Sequence, residues 1–94
     1  MVAEPLVDLF VEGDRLILSI AVPGILESDI DLTLTGTRLI LTADRPSIAG
    51  SYLRQEIERG ILVRDLELPF AVDLIHSSYE DGVLRLELKR LAGH

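Results

Sequence analysis

Nucleophilic catalysis needs a serine with a histidine beside it, and His76 directly precedes Ser77 and Ser78 in this chain. A histidine within hydrogen-bonding reach activates a serine hydroxyl by accepting its proton. These three residues, however, lie in a stretch that predicts a β-strand, where neighbouring residues point to opposite faces of the sheet. His76 therefore cannot orient Ser77, and we interpret it as a partly exposed strand residue. His94 is the last residue, a position where side chains are commonly mobile.

Carboxylates are abundant, with 16 aspartates and glutamates in the chain. Catalysis by a carboxylate pair requires two of them in a concave, partly dry site, whereas these acids fall at predicted turns and on solvated strand faces. Their spacing does not match an EF-hand loop, and no glycine-rich phosphate loop follows a strand. The absence of cysteine excludes a thiolate nucleophile and a cysteine-ligated zinc site. We expect no enzymatic activity, no bound metal and no cofactor.

Composition limits the partners of the chain. Its 94 residues make one domain, and the net charge of −7 disfavours a phosphate backbone, so we expect no nucleic-acid partner. The longest nearly apolar run, Leu16 to Leu26, is interrupted by Ser19 and Pro23 and is shorter than the about 20 residues of a spanning helix. No leader segment is recognised at the N-terminus. We expect a cytoplasmic protein without a membrane partner.

The secondary-structure elements that carry these side chains are predicted to be β-strands, because apolar and polar residues alternate along the chain with a period of two. Asp81-Gly82 is a strong hairpin signal, and Ser28 or Asp29 is a candidate cap of one helical turn. Residues 69–73, which begin with a proline, are a second candidate for one helical turn. The predicted strands are Leu6–Val11, Arg15–Val22, Ile30–Thr35, Arg38–Ala43, Ile61–Leu68, Leu74–Tyr79 and Val83–Lys89, with Tyr52–Glu58 as a charged edge strand or, alternatively, a helix. We predict an all-β, immunoglobulin-like sandwich of roughly seven or eight antiparallel strands. It spans residues 5–90, with 1–4 and 91–94 as flanking segments.

Several segments together resemble the α-crystallin domain of the small heat-shock proteins, of the bacterial and plant type. Ser77–Leu84, SSYEDGVL, is similar to the A-x-x-x-N-G-V-L signature, with Ser77 in place of alanine and Asp81 in place of asparagine. The other segments, in chain order, are Pro5–Phe10 with Leu18–Gly24, Glu27–Leu32 with Leu39–Arg45, and Tyr52–Glu56 with Gly60–Pro69. The turn residues of this pattern are Pro23, Gly24, Asp81 and Gly82, which we interpret as structural.

The resemblance implies a chaperone that holds partly unfolded proteins without ATP. It also implies a homodimer in which Tyr52–Glu58 crosses to a partner's sheet, with the candidate interface residues Tyr52, Arg54, Glu56, Glu58 and Arg64. Arg64 shares the alternation of Leu62 and Leu66, a face expected to be covered, and a charge there usually needs a carboxylate partner. We predict an intermolecular ion pair of Arg64 with Glu56 or Glu58, the alternative being an arginine that extends to the rim.

The resemblance further implies a groove for clients between Ile30–Thr35 and Leu74–Tyr79. Its candidate residues are Ile30, Leu32, Leu34, Leu74 and His76. The chain carries no C-terminal I-x-I segment, and only Met1–Glu4 precedes the domain, so we expect a dimer rather than a large shell. The competing interpretation is a co-chaperone-like or accessory interaction module without general holdase activity.

Overall fold

The computed structural model describes residues 4–46, 49–57 and 59–92. In this part of the chain the predicted all-β architecture is confirmed. The strands are β1 (Val7–Glu12), β2 (Arg15–Ala21), β3 (Ile30–Thr35), β4 (Arg38–Arg45), β5 (Gly60–Glu67), β6 (Val72–Glu80) and β7 (Val83–Arg90). A single 3₁₀ turn, Glu27–Asp29, precedes β3. No helix of the described residues is long and apolar enough to cross a bilayer.

Two antiparallel sheets form a sandwich. One has the order β1-β2-β7-β6 and the other β3-β4-β5. The apolar alternation of each strand decides its inward face, because consecutive side chains alternate between faces. The fully buried core comes from the central strands and from the residue after β2: Leu16, Leu18, Ile20, Val22, Leu39, Leu41, Leu86 and Leu88.

One ion pair shows which edges of the two sheets lie together. Nη1 of Arg64, on β5, lies 3.6 Å from a carboxylate oxygen of Glu4, just before β1. The β1 and β5 edges therefore share one side of the sandwich, which leaves the β3 and β6 edges on the other. The Tyr79 hydroxyl of β6 reaches the carbonyl oxygens of Val22 and Ile25, in the connection that leads to β3. This contact agrees with that arrangement.

The Asp81-Gly82 hairpin prediction is confirmed in detail. Asp81 has φ 52° and Gly82 has φ 77°, and positive φ at both central residues is the requirement of a type I′ turn. The turn joins β6 to β7, whose pairing begins with Glu80 opposite Val83. The twist of this turn matches that of the flanking strands, which favours the register.

Residues 52–57 form neither strand nor helix within this chain, so the helical alternative is wrong, whereas the strand expected to pair with a second chain stays a prediction; Glu58 lies outside the described residues. Two further local predictions are corrected. The turn before β3 uses extended Leu26 as its N-cap, without a side-chain cap hydrogen bond, so Ser28 and Asp29 do not cap it. Pro69 and Phe70 form a bend rather than a helical turn.

Candidate protein-interaction edges

The inward face of β1 is incompletely covered. Val7, Leu9 and Val11 pair with residues of β2 that point into the core, so they face the same way. Leu9 is nevertheless 38% exposed and Val11 57% exposed. The physical reason is that the two sheets differ in their number of strands. The sheet that contains β1 has four strands and the opposing sheet has three, so the edge strand β1 extends beyond the opposing sheet. We call the opening between β1 and β5 the β1/β5 side.

Arg64 lies at this opening. It stands opposite fully buried Leu41 in the β4–β5 ladder, so it belongs to the inward-facing set, and its side chain is 31% exposed. Its ion-pair partner within the described chain is Glu4, whereas Glu56 lies 3.5 Å from Arg54. The pairing of Arg64 with Glu56 or Glu58 of a second chain stays a prediction, and Glu58 lies outside the described residues.

The segment 52–57 carries large apolar side chains that are exposed to solvent. Leu53 is completely solvent-exposed, at 105% of the reference value, and Tyr52 and Ile57 are also exposed. Arg54 and Glu56 are exposed too. Three large apolar side chains in water are unfavourable for an isolated domain, and exposed apolar groups that lie close together commonly mark contacts with other proteins.

The β3/β6 side is a second opening, between the edge strands β3 and β6. The side chains of Ile30, Leu32 and Leu34 face the core but are only half-buried. On β6, Leu74 pairs with buried Leu88, so it faces inward, yet it is exposed. The structure thus brings four of the five predicted groove residues to the same side of the sandwich.

His76 is the exception, and its predicted place in the groove is corrected. A β-bulge between Leu74 and His76 adds Ile75 to β6, so that His76 pairs with Glu87 while Ser77 pairs with Leu86. His76 therefore lies on the outer face of the sheet, beside a shallow cavity of about 290 Å³. The bulge resets the alternation that placed Leu74 and His76 on one face. The sequence did not signal this irregularity, since adjacent apolar residues such as Leu74 and Ile75 also occur in the regular strands β2 and β4.

His76 and Ser77 point to opposite faces, as predicted, because their β7 partners alternate between faces. The described residues contain no group of three histidine, aspartate or glutamate side chains able to hold a metal ion.

The predicted turn residues form one structural unit. The Val22 N–H donates to the Gly82 carbonyl at 2.8 Å, and a Cβ on Gly82 would lie 2.8 Å from the Pro23 Cα. Arg45 donates from Nε and Nη2 to the Pro23 carbonyl, at 3.2 and 2.7 Å. The Pro23-Gly24 turn is thus held against the Asp81-Gly82 turn.

Sequence reasoning missed the roles of Tyr79 and Arg45 in this unit. Tyr79 donates its hydroxyl to the Ile25 carbonyl, and the Val22 carbonyl is 3.2 Å away. Tyr79 is half-buried and packs against the core. A half-buried tyrosine usually directs its hydroxyl to a hydrogen-bond partner. Tyr79 lies in the signature segment Ser77–Leu84, on a predicted strand, so a hydrogen bond from its hydroxyl could have been predicted from the sequence.

The shortest ion pair of the described residues lies on the outer surface, away from both openings. Arg38 donates to Asp65 from Nε at 3.0 Å and from Nη2 at 2.5 Å. These hydrogen bonds, and the charge of the Arg38 guanidinium, lower the pKa of Asp65 below its ordinary value. Both residues are on the outer face of the three-stranded sheet, where the pair connects β4 to β5.

Comparison with known proteins agrees with this architecture. Residues 8–94 match the family model described as the Hsp20/alpha crystallin family, whereas a search of curated proteins gives no match. Among solved structures, a small heat-shock protein from Xylella fastidiosa is 28% identical with a TM-score of 0.78, over 96% of this chain and 89% of that one.

Two eukaryotic structures share the fold at lower identity. HSP18.5 from E. histolytica has a TM-score of 0.81 at 22% identity, over 97% of this chain and 91% of that chain. Heat shock protein 16.0 from Schizosaccharomyces pombe has a TM-score of 0.86 at 16% identity, over 97% and 69%. The family match extends over nearly the whole chain and includes both open sides and the joined turns, so this protein belongs to the Hsp20/alpha crystallin family.

Proposed function

We propose that this chain is an ATP-independent holdase that binds partly unfolded polypeptides at its open sheet edges and acts as a homodimer. The observation that carries the proposal is the exposure of inward-facing aliphatic side chains on both sides of the sandwich, Leu9 and Val11 on one and Leu74 on the other. Unfolded segments offer the two complementary features, unpaired backbone groups and apolar side chains. The absence of cysteine suits a reducing compartment, and we assign the protein to the cytoplasm.

The β3/β6 side is the proposed client site. Ile30, Leu32, Leu34 and Leu74 supply an aliphatic lining, and the free edges of both strands supply hydrogen-bonding groups. An extended client segment would pair with one edge and insert alternate side chains between the sheets. Each fully buried aliphatic side chain contributes roughly 1.5–3 kcal/mol, much of which offsets the ordering of the segment. Weak and sequence-tolerant binding is the expected result.

The β1/β5 side is the proposed dimer site, where Tyr52–Glu58 of a second copy pairs along the free edge of β1. In a strand, Leu53 and Ile57 fall on one face and Arg54 falls on the other. With Leu53 and Ile57 directed inward, they would cover Leu9 and Val11, which the chain's own second sheet leaves exposed.

The same orientation places Arg54 on the outer face of the four-stranded sheet. The outward residues of β1 are Asp8, Phe10 and Glu12, since their partners Ser19, Ile17 and Arg15 alternate with the core residues of β2. A cation between two carboxylates is electrostatically favourable, and a guanidinium also stacks well on an aromatic ring. Leu53, Ile57 and Arg54 of the proposed strand therefore find complementary groups on β1. The same orientation directs Glu56 and Glu58 outward, so it is an alternative to the predicted pairing of Arg64 with either glutamate.

An aggregation assay without nucleotide tests the holdase proposal. The purified chain should suppress the light scattering of a heat-denatured, unrelated protein in proportion to its concentration. Failure at molar excess, with a dimer still present in sedimentation equilibrium, would replace holdase activity by the role of an accessory interaction module for a folded partner.

A further inference from the structure

A cavity of about 570 Å³ lies where the Pro23-Gly24 turn meets the paired ends of β4 and β5. The described residues that line it are Pro23, Gly24, Arg45, Ile57 and Arg59. They include two arginines and no carboxylate, although the chain as a whole has a net charge of −7. The volume falls within the roughly 300–1,000 Å³ that is usual for small-molecule sites. The lining thus combines local positive charge with apolar contacts.

Arg45 is positioned by the alternation of its strand. It shares the inward face of β4 with buried Leu41 and Ala43, and its Nε and Nη2 donate to the Pro23 carbonyl. A Cβ on Gly24 would lie 3.8 Å from the same Nε, so the guanidinium lies against the turn. A carbonyl is a neutral acceptor, and these hydrogen bonds therefore orient the guanidinium without removing its charge.

Arg59 supplies the second guanidinium and has an unsatisfied donor. It directly precedes Gly60, whose backbone pairs with Arg45 in the β4–β5 ladder, so the two arginines start from neighbouring positions. The Nε of Arg59 is buried and has no hydrogen-bond partner among the described residues. Most buried donors are hydrogen-bonded, and an exception commonly marks the place of an absent acceptor such as a bound ion.

We propose that this cavity binds a phosphate group between Arg45 and Arg59. A guanidinium presents a planar fork of N–H donors that matches phosphate oxygens, and hydrogen bonds between two charged groups are stronger than neutral ones. The Arg59 Nε donates to one phosphate oxygen, and Arg45, oriented by Pro23, adds the second positive charge. Both arginines belong to the β4–β5 end of one chain, so the site does not depend on the proposed dimer.

The phosphate group can come from two sources, free inorganic phosphate or the phosphate ester of a small organic molecule. The side chains of Pro23 and Ile57 provide apolar contacts for an organic group beside the phosphate. A long polyanion is disfavoured, because it would also meet the negative charge of the rest of the chain.

Heteronuclear NMR on the full chain tests the proposal, with inorganic phosphate and phenyl phosphate as probes at constant ionic strength. The probe should shift the Nε–Hε resonance of Arg59 and the backbone amides of Gly24 and Gly60 in a saturable way. Arg59→Gln should weaken binding by about ten-fold or more. Arg59→Lys should restore only part of the affinity, since lysine keeps the charge but lacks the planar fork.

The matched control is Arg15→Gln, at the end of β2 that is far from Pro23. It removes the same charge and should leave the affinity nearly unchanged, because salt screens a distant charge. Circular dichroism checks that each variant is folded. The proposal is overturned if neither probe gives a saturable shift, or if Arg15→Gln weakens binding as much as Arg59→Gln, since the effect would then be one of general charge.

The probes also separate the two sources. Tighter binding of phenyl phosphate supports a site for organic phosphate esters, whereas equal or tighter binding of inorganic phosphate supports a site for the free anion. Phenol is the ligand control, and equal shifts with phenol and phenyl phosphate would overturn the proposal in favour of a purely apolar contact.

A last variant concerns Glu58, which adjoins Arg59 in the sequence and lies outside the described residues. Phosphate should bind to the wild-type chain and to Glu58→Gln alike. If it binds only to Glu58→Gln, the acceptor for Arg59 is the chain's own carboxylate, and the phosphate site is overturned.

Discussion

Gly82 and Pro23, 59 positions apart in the sequence, are packed so closely that a Cβ on Gly82 would lie 2.8 Å from the Pro23 Cα. The Val22 N–H, beside Pro23, donates to the Gly82 carbonyl at 2.8 Å. Two turn motifs that each look purely local in the sequence thus form one contact. This contact joins the β6–β7 hairpin to the connection between β2 and β3.

Gly82→Ala should therefore destabilise the fold strongly. Alanine at φ 77° is strained, and its Cβ collides with backbone atoms of Pro23 that have little freedom to move. We expect a loss of roughly 2–4 kcal/mol in the free energy of unfolding, measured by urea denaturation. The control is Gly36→Ala, at φ 60° with no atom near the new Cβ, which should lose about 1–2 kcal/mol from strain alone. Equal losses in the two variants would show that the contact with Pro23 is unimportant.

Tyr79→Phe tests the side-chain contact in the same unit. The variant keeps the packed ring but removes the hydroxyl that donates to the Ile25 carbonyl. We expect a loss of about 0.5–1.5 kcal/mol in the free energy of unfolding. Amide hydrogen exchange should accelerate around 22–29 more than in β4. A variant as stable as the parent would mean that water replaces the hydroxyl at no cost.

The pair of Arg38 and Asp65 predicts a pH dependence of stability. Because the folded-state pKa of Asp65 is lowered, the pair stabilises the fold above the ordinary carboxyl pKa of about 4. That contribution is lost as the pH falls through the lower, folded-state pKa. Asp65→Asn should be less stable than wild type at about pH 6, and the two should converge in strong acid. Urea denaturation at both pH values measures this, and a gap that persists in acid would contradict it.

The strand-exchange proposal predicts that Leu53 matters to the dimer although it is fully exposed in its own chain. Leu53→Asp should weaken dimerisation by at least about ten-fold, since it places a charge among Leu9 and Val11 of the second copy. The matched control is Leu26→Asp, at another exposed leucine, which should leave the dimer intact. Analytical ultracentrifugation measures both, and an unchanged dimer in Leu53→Asp would exclude the proposed orientation.

The β3/β6 side predicts a difference between neighbouring residues of one strand. Leu32→Asp places a charge on the inward, half-buried face of β3, whereas Thr33→Asp places the same charge on the exposed outer face. Suppression of client aggregation should fall several-fold in the first variant and remain near the parent value in the second. Circular dichroism and thermal melts check that both are folded. Equal activity would place client binding elsewhere.

Local patterns were sufficient for most strands and for the inward face of each. Ile30–Thr35 was predicted with its observed bounds, because strict alternation has a single solution when one face must be buried. The Asp81-Gly82 hairpin was equally predictable, since few other dipeptides tolerate positive φ at both positions. Arg64 was predicted to lie on the inward face of its strand because it alternates with the apolar residues Leu62 and Leu66.

Contacts between distant residues were decided by the tertiary structure alone. The partner of Arg64 within the chain is Glu4, 60 positions away, and no spacing rule connects them. His76 lies on the outer face because the bulge at Ile75 shifts the β6–β7 register. This shift depends on how β6 pairs with β7 and cannot be read from the sequence of β6 alone. Residues 52–57 have strand-like composition but no strand, since backbone hydrogen bonds need a neighbour. Periodicity determines which way a side chain points, whereas packing determines what it meets.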